Sequence, residues 1–142
     1  MTVTADLPTL QEADQLGRGI FAKKERNRAR QGIIPHTVFL EKEEVESLSV
    51  DRLDHAPDEE LAEIGDRNAS LRGPNRSFYG WATVTVAVAC QDGRTVRATP
   101  RLDNFYHADI DLNIQPITER RDTQNHHALS LASAASLRER PQ

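Results

Sequence analysis

The chain has 142 residues, a net charge of −4 and a single cysteine, which is the size and composition of one domain, and we expect residues 1–142 to form it. Cys90 alone can form neither an internal disulfide nor a thiolate zinc site, and no stretch approaches the roughly 20 apolar residues that cross a bilayer. We therefore expect a soluble cytoplasmic protein without membrane association, with residues 1–7 and 138–142 as flexible ends.

Patterns in the N-terminal half predict a helix, a basic helix, two strands and a helix, over 8–16, 20–30, 33–40, 47–53 and 58–72. The last helix is the clearest of these. Acidic residues fill its first turn, Leu61 and Ile64 follow helical spacing, and Gly73 ends it. An acidic stretch over 41–46 connects the two strands.

The C-terminal half is predicted to form three strands and a helix, over 78–90, 95–99, 105–112 and 126–137. The first strand has strict alternation and ends at Asp92-Gly93, a strong hairpin signal, so the second strand should return antiparallel to it. The order of elements predicts an α+β fold, with an antiparallel or mixed sheet of about four to five strands and flanking helices packed on one face.

One polar face on a predicted strand could carry chemistry. His107, Asp109 and Asp111 project to one side, and an imidazole with two carboxylates could perform acid–base chemistry or bind a cation. The same alternation is typical of a strand with one solvent-exposed face. If the chain is an enzyme, we expect His107, Asp109 and His36 to be its catalytic residues, in a pocket that includes Tyr79. No known metal-ligand spacing is present, so we expect no metal and no cofactor.

Charge is distributed in two blocks, a basic one over 18–30 and an acidic one over 41–66. The blocks could dock a partner or neutralise each other across the fold, and we favour neutralisation. The sheet aromatics could pack in the core or include an interface anchor. If a protein partner docks, we expect it to contact four residues, namely Trp81, Lys23, Arg26 and Arg28.

A further small set surrounds Arg18, which lies between two glycines. The arrangement of Arg18 with Ser49 on a later predicted strand resembles that of NAD-handling transferases, in which an early arginine and a later strand serine flank the dinucleotide. The same set includes Asp51 and Arg52 on the later strand, and the family's catalytic glutamate near the C-terminus has no clear counterpart here. We favour the alternative, that Arg18 and Arg52 pair with neighbouring acids.

Three functions follow from these patterns. We expect an interaction or accessory domain within a bacterial multi-protein assembly, because charge asymmetry and aromatics are present while catalytic motifs are absent from the sequence. The first alternative is a small enzyme or ligand-binding domain with a pocket around His36, Tyr79, His107 and Asp109. The second is a weak nucleic-acid binder through residues 23–30, which we do not favour. Another protein is thus the expected partner.

Overall fold

A computed structural model describes residues 7–114 and 119–141, which form an antiparallel sheet between two layers of helix. Its strands are β1 (Gln15–Ile20), β2 (Ser47–Arg52), β3 (Gly80–Thr85), β4 (Thr95–Ala98), β5 (His107–Asp111) and β6 (Ser136–Glu139). Its helices are α1 (Lys23–Arg30), α2 (Asp58–Arg72), α3 (Val86–Ala89) and α4 (Arg120–Ala134). Short 3₁₀ turns occur at His36–Phe39 and Gln91–Gly93.

Within the described residues the sheet has six strands in the order β4-β5-β2-β1-β3-β6, and every pairing is antiparallel. The predicted α+β class with an antiparallel sheet and flanking helices is confirmed, and the sheet has slightly more strands than expected. None of the helices in this part of the chain is long and apolar enough to cross a membrane.

Helices cover both faces of the sheet, which corrects the expectation of one covered face. The larger core joins buried apolar residues of four strands (β1, β2, β3 and β5) to α4 and the 3₁₀ turn at His36–Phe39. On the opposite face, α2 packs Leu61 against Phe78 and Trp81. Two helical layers are needed because both faces of the central strands carry apolar side chains.

The N-terminal predictions were only partly correct. The residues predicted to form a helix over 8–16 instead lead into β1. The β1 residues Leu16 and Ile20 are buried in the larger core. The predicted strand over 33–40 is a 3₁₀ turn that packs on α4. The predicted basic helix, the strand after the acidic stretch and the helix after Pro57 are confirmed as α1, β2 and α2.

The predicted hairpin at Asp92-Gly93 does not pair the strands expected. β3 ends at Thr85, whose hydroxyl accepts a hydrogen bond from the Val88 amide at 3.2 Å and caps the short helix α3. Asp92 adopts a left-handed conformation in the turn that follows, and β4 then pairs with β5 instead of β3. Cys90, the last residue of the strand predicted over 78–90, is exposed after α3 for the same reason.

The C-terminal end is structured as far as it is described. The last helix begins earlier than predicted, as α4, and is followed by β6, which pairs with β3 at the sheet edge. Residues 138–141, expected to belong to a flexible end, include two of the strand's residues. Arg138 contacts Asp58 at 2.8 Å and Arg140 contacts Asp66 at 2.7 Å, so α2 helps to hold this end. Residues 1–6 and 142 lie outside the described residues.

Candidate functional site

A cleft lies between α2 and the polar face of the sheet, and we call it the α2 cleft. Its volume is about 360 Å³. Its floor is made by β1 and β2, one wall by α2, and the other wall by the segment from residue 101 to residue 107. Its lining includes Gly19, Ser49, Asp51, Gly65, Arg72, Asn104 and His107.

The register of the sheet explains why an acid and a histidine meet in this cleft. β2 pairs with β5 so that Asp51 lies directly opposite His107, and side chains of directly paired residues share a face. Asp109 and Asp111 project on the same side as His107, as the alternation predicts, and pair opposite Ser49 and Ser47.

Asp51 is nearly buried and accepts two side-chain hydrogen bonds. Asn104 donates to Oδ1 at 2.9 Å, and the Trp81 indole donates to Oδ2 at 3.3 Å. Burial raises the pKa of Asp51 above its ordinary value, although the two hydrogen bonds and the nearby His107 oppose that shift. The cleft therefore contains a carboxyl group that holds its proton more tightly than an exposed aspartate would.

His107 is 5% exposed, and its two ring nitrogens have different surroundings. Nδ1 lies 2.8 Å from the Thr99 hydroxyl and 3.2 Å from the Thr99 carbonyl oxygen. The hydroxyl can donate or accept, whereas the carbonyl can only accept, so the carbonyl contact favours the neutral tautomer with its proton on Nδ1 and a lone pair on Nε2. Among the described residues, no group hydrogen-bonds to that buried Nε2.

Arg18 fills an opening between the two central strands. β1 and β2 pair only at Leu16 with Arg52 and at Gly17 with Asp51. Beyond that point the Arg18 guanidinium donates to the Ser49 carbonyl at 2.9 Å, to the Val38 carbonyl at 3.0 Å and to the Glu41 carboxylate at 2.6 Å.

The contact with Glu41 agrees with the favoured pairing of Arg18 with a neighbouring acid. Burial works against ionisation of Glu41, but the charges of Arg18 and Arg72 hold its pKa below the ordinary value. Arg52 differs, since its guanidinium donates to the Pro8 carbonyl instead.

No family model, curated protein or solved structure matches this chain.

The other residues expected in a catalytic pocket lie elsewhere. His36 begins the 3₁₀ turn that packs on α4, and Tyr79 lies under the Arg26 guanidinium at 4.7 Å from the ring centre. Neither residue lines the α2 cleft, and neither does Asp109. Asp111 forms an ion pair with Arg97 at 2.6 Å at the sheet edge. Of the expected pocket, only His107 lines this cleft.

The residues expected to bind a partner are divided between core and surface. Trp81 is completely buried, with its ring at 4.8 Å from that of Phe78, so it is not available as an interface anchor in this structure. Lys23 and Arg28 are exposed on α1, whereas Arg26 is partly covered and stacks on Tyr79.

Sequence patterns did not predict several members of the α2 cleft. Asn104 and Arg72 were not considered, and Asp51 was placed with Arg18 and not with His107. The available signal was an acid on a strand with buried apolar positions, since Asp51 follows Leu48 and Val50, which are buried in β2. No group of three potential metal ligands occurs among residues 7–114 and 119–141.

Proposed function

We propose that the α2 cleft binds a small molecule and transfers a proton to or from it, which makes the chain a small enzyme or ligand-binding domain. The observation that carries the proposal is that His107, whose buried Nε2 has no hydrogen-bond partner among the described residues, lines a cleft that also contains Asp51. A buried polar atom without a partner is costly in a stable core, so such atoms are concentrated at functional sites.

The two groups are suited to opposite roles. In the tautomer with a proton on Nδ1, that proton is donated to the Thr99 carbonyl, and Nε2 is the nitrogen that would accept a proton from a bound molecule able to reach it; Thr99 would orient the resulting imidazolium. Asp51, whose pKa is raised by burial, can hold or supply a proton at a higher pH than an exposed aspartate. The proposed roles are therefore His107 as base and Asp51 as acid, with Asn104 as the residue that positions the Asp51 carboxyl group.

The test combines ligand screening with the variant His107→Gln. A panel of small carboxylates, phosphates and nucleosides is screened by thermal shift, and a ligand at 100 times its Kd stabilises the native state by about 2.7 kcal/mol. We expect at least one hit in the wild type and loss of that hit in His107→Gln. Asp109→Asn is the matched control, because Asp109 lies two residues along the same face of β5 but does not line the cleft.

A direct measurement keeps the proposal testable even if His107→Gln fails to fold. Nitrogen-15 NMR of the wild-type imidazole reports which ring nitrogen is protonated in the neutral form. We expect the proton on Nδ1. A proton on Nε2, or an unchanged ligand response in folded His107→Gln, contradicts the proposed base.

The exposed face of α1 supports a second proposal, a protein contact in the cytoplasm of a bacterial cell. Lys23 and Arg28 are exposed there with no ion-pair partner among the described residues. A partner with an acidic surface would suit them. Replacing both by Gln should then weaken capture of an acidic partner and make its affinity less dependent on salt; unchanged affinity would contradict this contact.

A further inference from the structure

A second cleft adjoins the α2 cleft, and we call it the basic cleft. Its volume is about 370 Å³, and it lies between α1, the 3₁₀ turn at His36–Phe39 and the end of α2. Arg18, Gly19, Phe21 and Arg72 line both clefts, so the two share a common boundary. A molecule in the α2 cleft could therefore extend into the basic cleft.

Basic side chains dominate the charged lining of this second cleft. Four of them line it, against the single acidic side chain of Glu25. Glu25 is already engaged, since its carboxylate accepts a hydrogen bond from the Thr37 hydroxyl at 2.7 Å. The excess of positive charge makes this the natural place for an anionic group.

The basic residues differ in how many hydrogen bonds their side chains already donate. Arg18 donates to three acceptors and is a fixed charge at the rear of the cleft. In contrast, within the part of the chain that the structure describes, the side chains of Lys24, Arg72 and Arg76 donate no hydrogen bonds. Arg72 lies 4.0 Å from Glu41 and stacks on the Phe21 ring at 4.5 Å, which fixes its guanidinium without using its N–H groups. Three cations with free donors thus surround one space.

The positive potential also acts on Arg72 itself. Burial lowers the pKa of Arg72, and the neighbouring positive charge of Arg18 lowers it further; the charges of Glu41 and Glu25 oppose this shift, and Arg76 adds a smaller lowering effect. An anion bound between these guanidinium groups would relieve that repulsion. The cleft also opens beside Ala22, the N-cap of α1, which has no side-chain capping group.

We propose that the molecule bound in the α2 cleft carries a phosphoryl group, and that Lys24, Arg72 and Arg76 bind this group in the basic cleft. This inference rests on the proposed function of the α2 cleft for the rest of the ligand. Phosphate is the anion indicated, because its several oxygens can accept from all three cations, and guanidinium groups match its geometry. The adjoining position places the phosphoryl group beside, and not at, the acid–base pair, so it would serve for recognition.

The experiment titrates the full chain with inorganic phosphate, adenosine 5′-monophosphate and a single-stranded decanucleotide, at constant ionic strength, while amide NMR shifts are recorded. We expect phosphate and the monophosphate to move the amides of Lys24, Arg72 and Arg76. Lys24→Gln and Arg76→Gln change exposed side chains and should each weaken phosphate binding about tenfold, the effect of losing one charged hydrogen bond. Arg28→Gln is the matched control, since it removes an exposed charge of α1 outside the basic cleft.

Binding of inorganic phosphate and binding of a ligand that depends on His107 test this inference and the proposed function separately. His107→Gln should leave the affinity for inorganic phosphate unchanged, because His107 does not line the basic cleft. If phosphate binds both proteins equally but no ligand depends on His107, the phosphoryl subsite stands and the proposed acid–base function fails. If a ligand depends on His107 but phosphate moves none of the three amides, this inference alone fails.

Two further results would overturn it. An equal loss of phosphate binding in Arg28→Gln would show a general charge effect. Tight binding of the decanucleotide, lost when Lys23, Arg26 and Arg28 are replaced by Gln, would assign the basic surface to nucleic acid.

Discussion

Replacing Gly65 with Ala tests how closely α2 packs on the sheet at the α2 cleft. Gly65 lies in the middle of α2, where alanine is normally favoured by up to about 1 kcal/mol. A Cβ at this position would lie 2.5 Å from Cγ and Cδ2 of Phe78, well inside the closest approach that carbon atoms tolerate. Either the Phe78 ring or the helix must move.

The surroundings of Phe78 make such a movement costly. The ring is 2% exposed, its centre lies 4.8 Å from the Trp81 ring and 6.0 Å from the Phe21 ring, and the Arg140 guanidinium covers it. Inserting a carbon into a packed core costs about 1–3 kcal/mol. After the gain in helix propensity, we expect Gly65→Ala to destabilise the protein by about 1–2 kcal/mol.

Urea unfolding and thermal melts measure this change, and about 2–4 °C per kcal/mol is expected for a chain near this size. Ser70→Ala is the control, because Ser70 is exposed on the same helix, and it should be neutral or slightly stabilising. In a Phe78→Leu background, where the ring is absent, Gly65→Ala should lose most of its cost. If Gly65→Ala is as stable as wild type, or more stable, the packing of α2 against Phe78 is refuted.

Three other variants test the core, the sheet edge and the pH dependence. Ile64→Asp places an unpaired charge beneath α2 and should cost on the order of 3 kcal/mol; unchanged thermal stability would contradict the position of Ile64. Gly80→Ala puts a Cβ 2.3 Å from the backbone of β6, at a φ of +140°, so we expect faster amide exchange in β6 than in β1; wild-type protection there would refute the pairing. Burial, and then the charge of Arg94, lower the pKa of His127 below 6.5, so the unfolded state binds the proton first and stability should fall as the pH drops below about 6.5. His127→Gln should flatten that acid limb of the stability curve, while His126→Gln, at an exposed neighbour, should keep it; equal effects of the two would contradict the assignment.

Local patterns were sufficient for the elements whose determinants are local. α2 was predicted with its observed bounds because acidic residues, helical spacing and Gly73 all lie within the element. β5 was predicted with the correct faces because a period of two specifies which side chains share a side. Neither prediction needed knowledge of a partner element.

The elements that were wrong depend on distant contacts. Gly17 and Gly19 lie between the two helices predicted over 8–16 and 20–30, but they belong to a central strand, where a Cβ would meet Trp81 at 2.7 Å and Phe21 at 2.5 Å respectively. β4 was paired with the preceding strand because Asp92-Gly93 is a hairpin signal. In the structure the cap on α3 turns the chain away before that pairing can form.

The α2 cleft shows the same division between local and distant information. The face that contains His107 could be predicted from alternation, and the candidate partner His36 was chosen only by residue type. The observed neighbour Asp51 results from the register between β2 and β5, which links residues 56 positions apart. Asn104 reaches the cleft from a loop and Arg72 from a helix, and no local sequence pattern specifies where these two elements lie.

One face of the sheet contains the larger apolar core, and the other contains the proposed site. The core under α4 contains buried apolar side chains of four strands and most of the buried aliphatic residues. The opposite face has a smaller apolar cluster under α2, and the rest of that face is occupied by polar groups and the two clefts. A site on this face can contain two groups that are costly to bury, namely the Nε2 of His107, which has no hydrogen-bond partner among the described residues, and the poorly solvated carboxyl group of Asp51. The fold tolerates them because the free energy of folding comes mainly from the other face. Since the Arg18 guanidinium donates to the Ser49 carbonyl of β2, the central strands can separate at the clefts while that carbonyl keeps a hydrogen-bond partner.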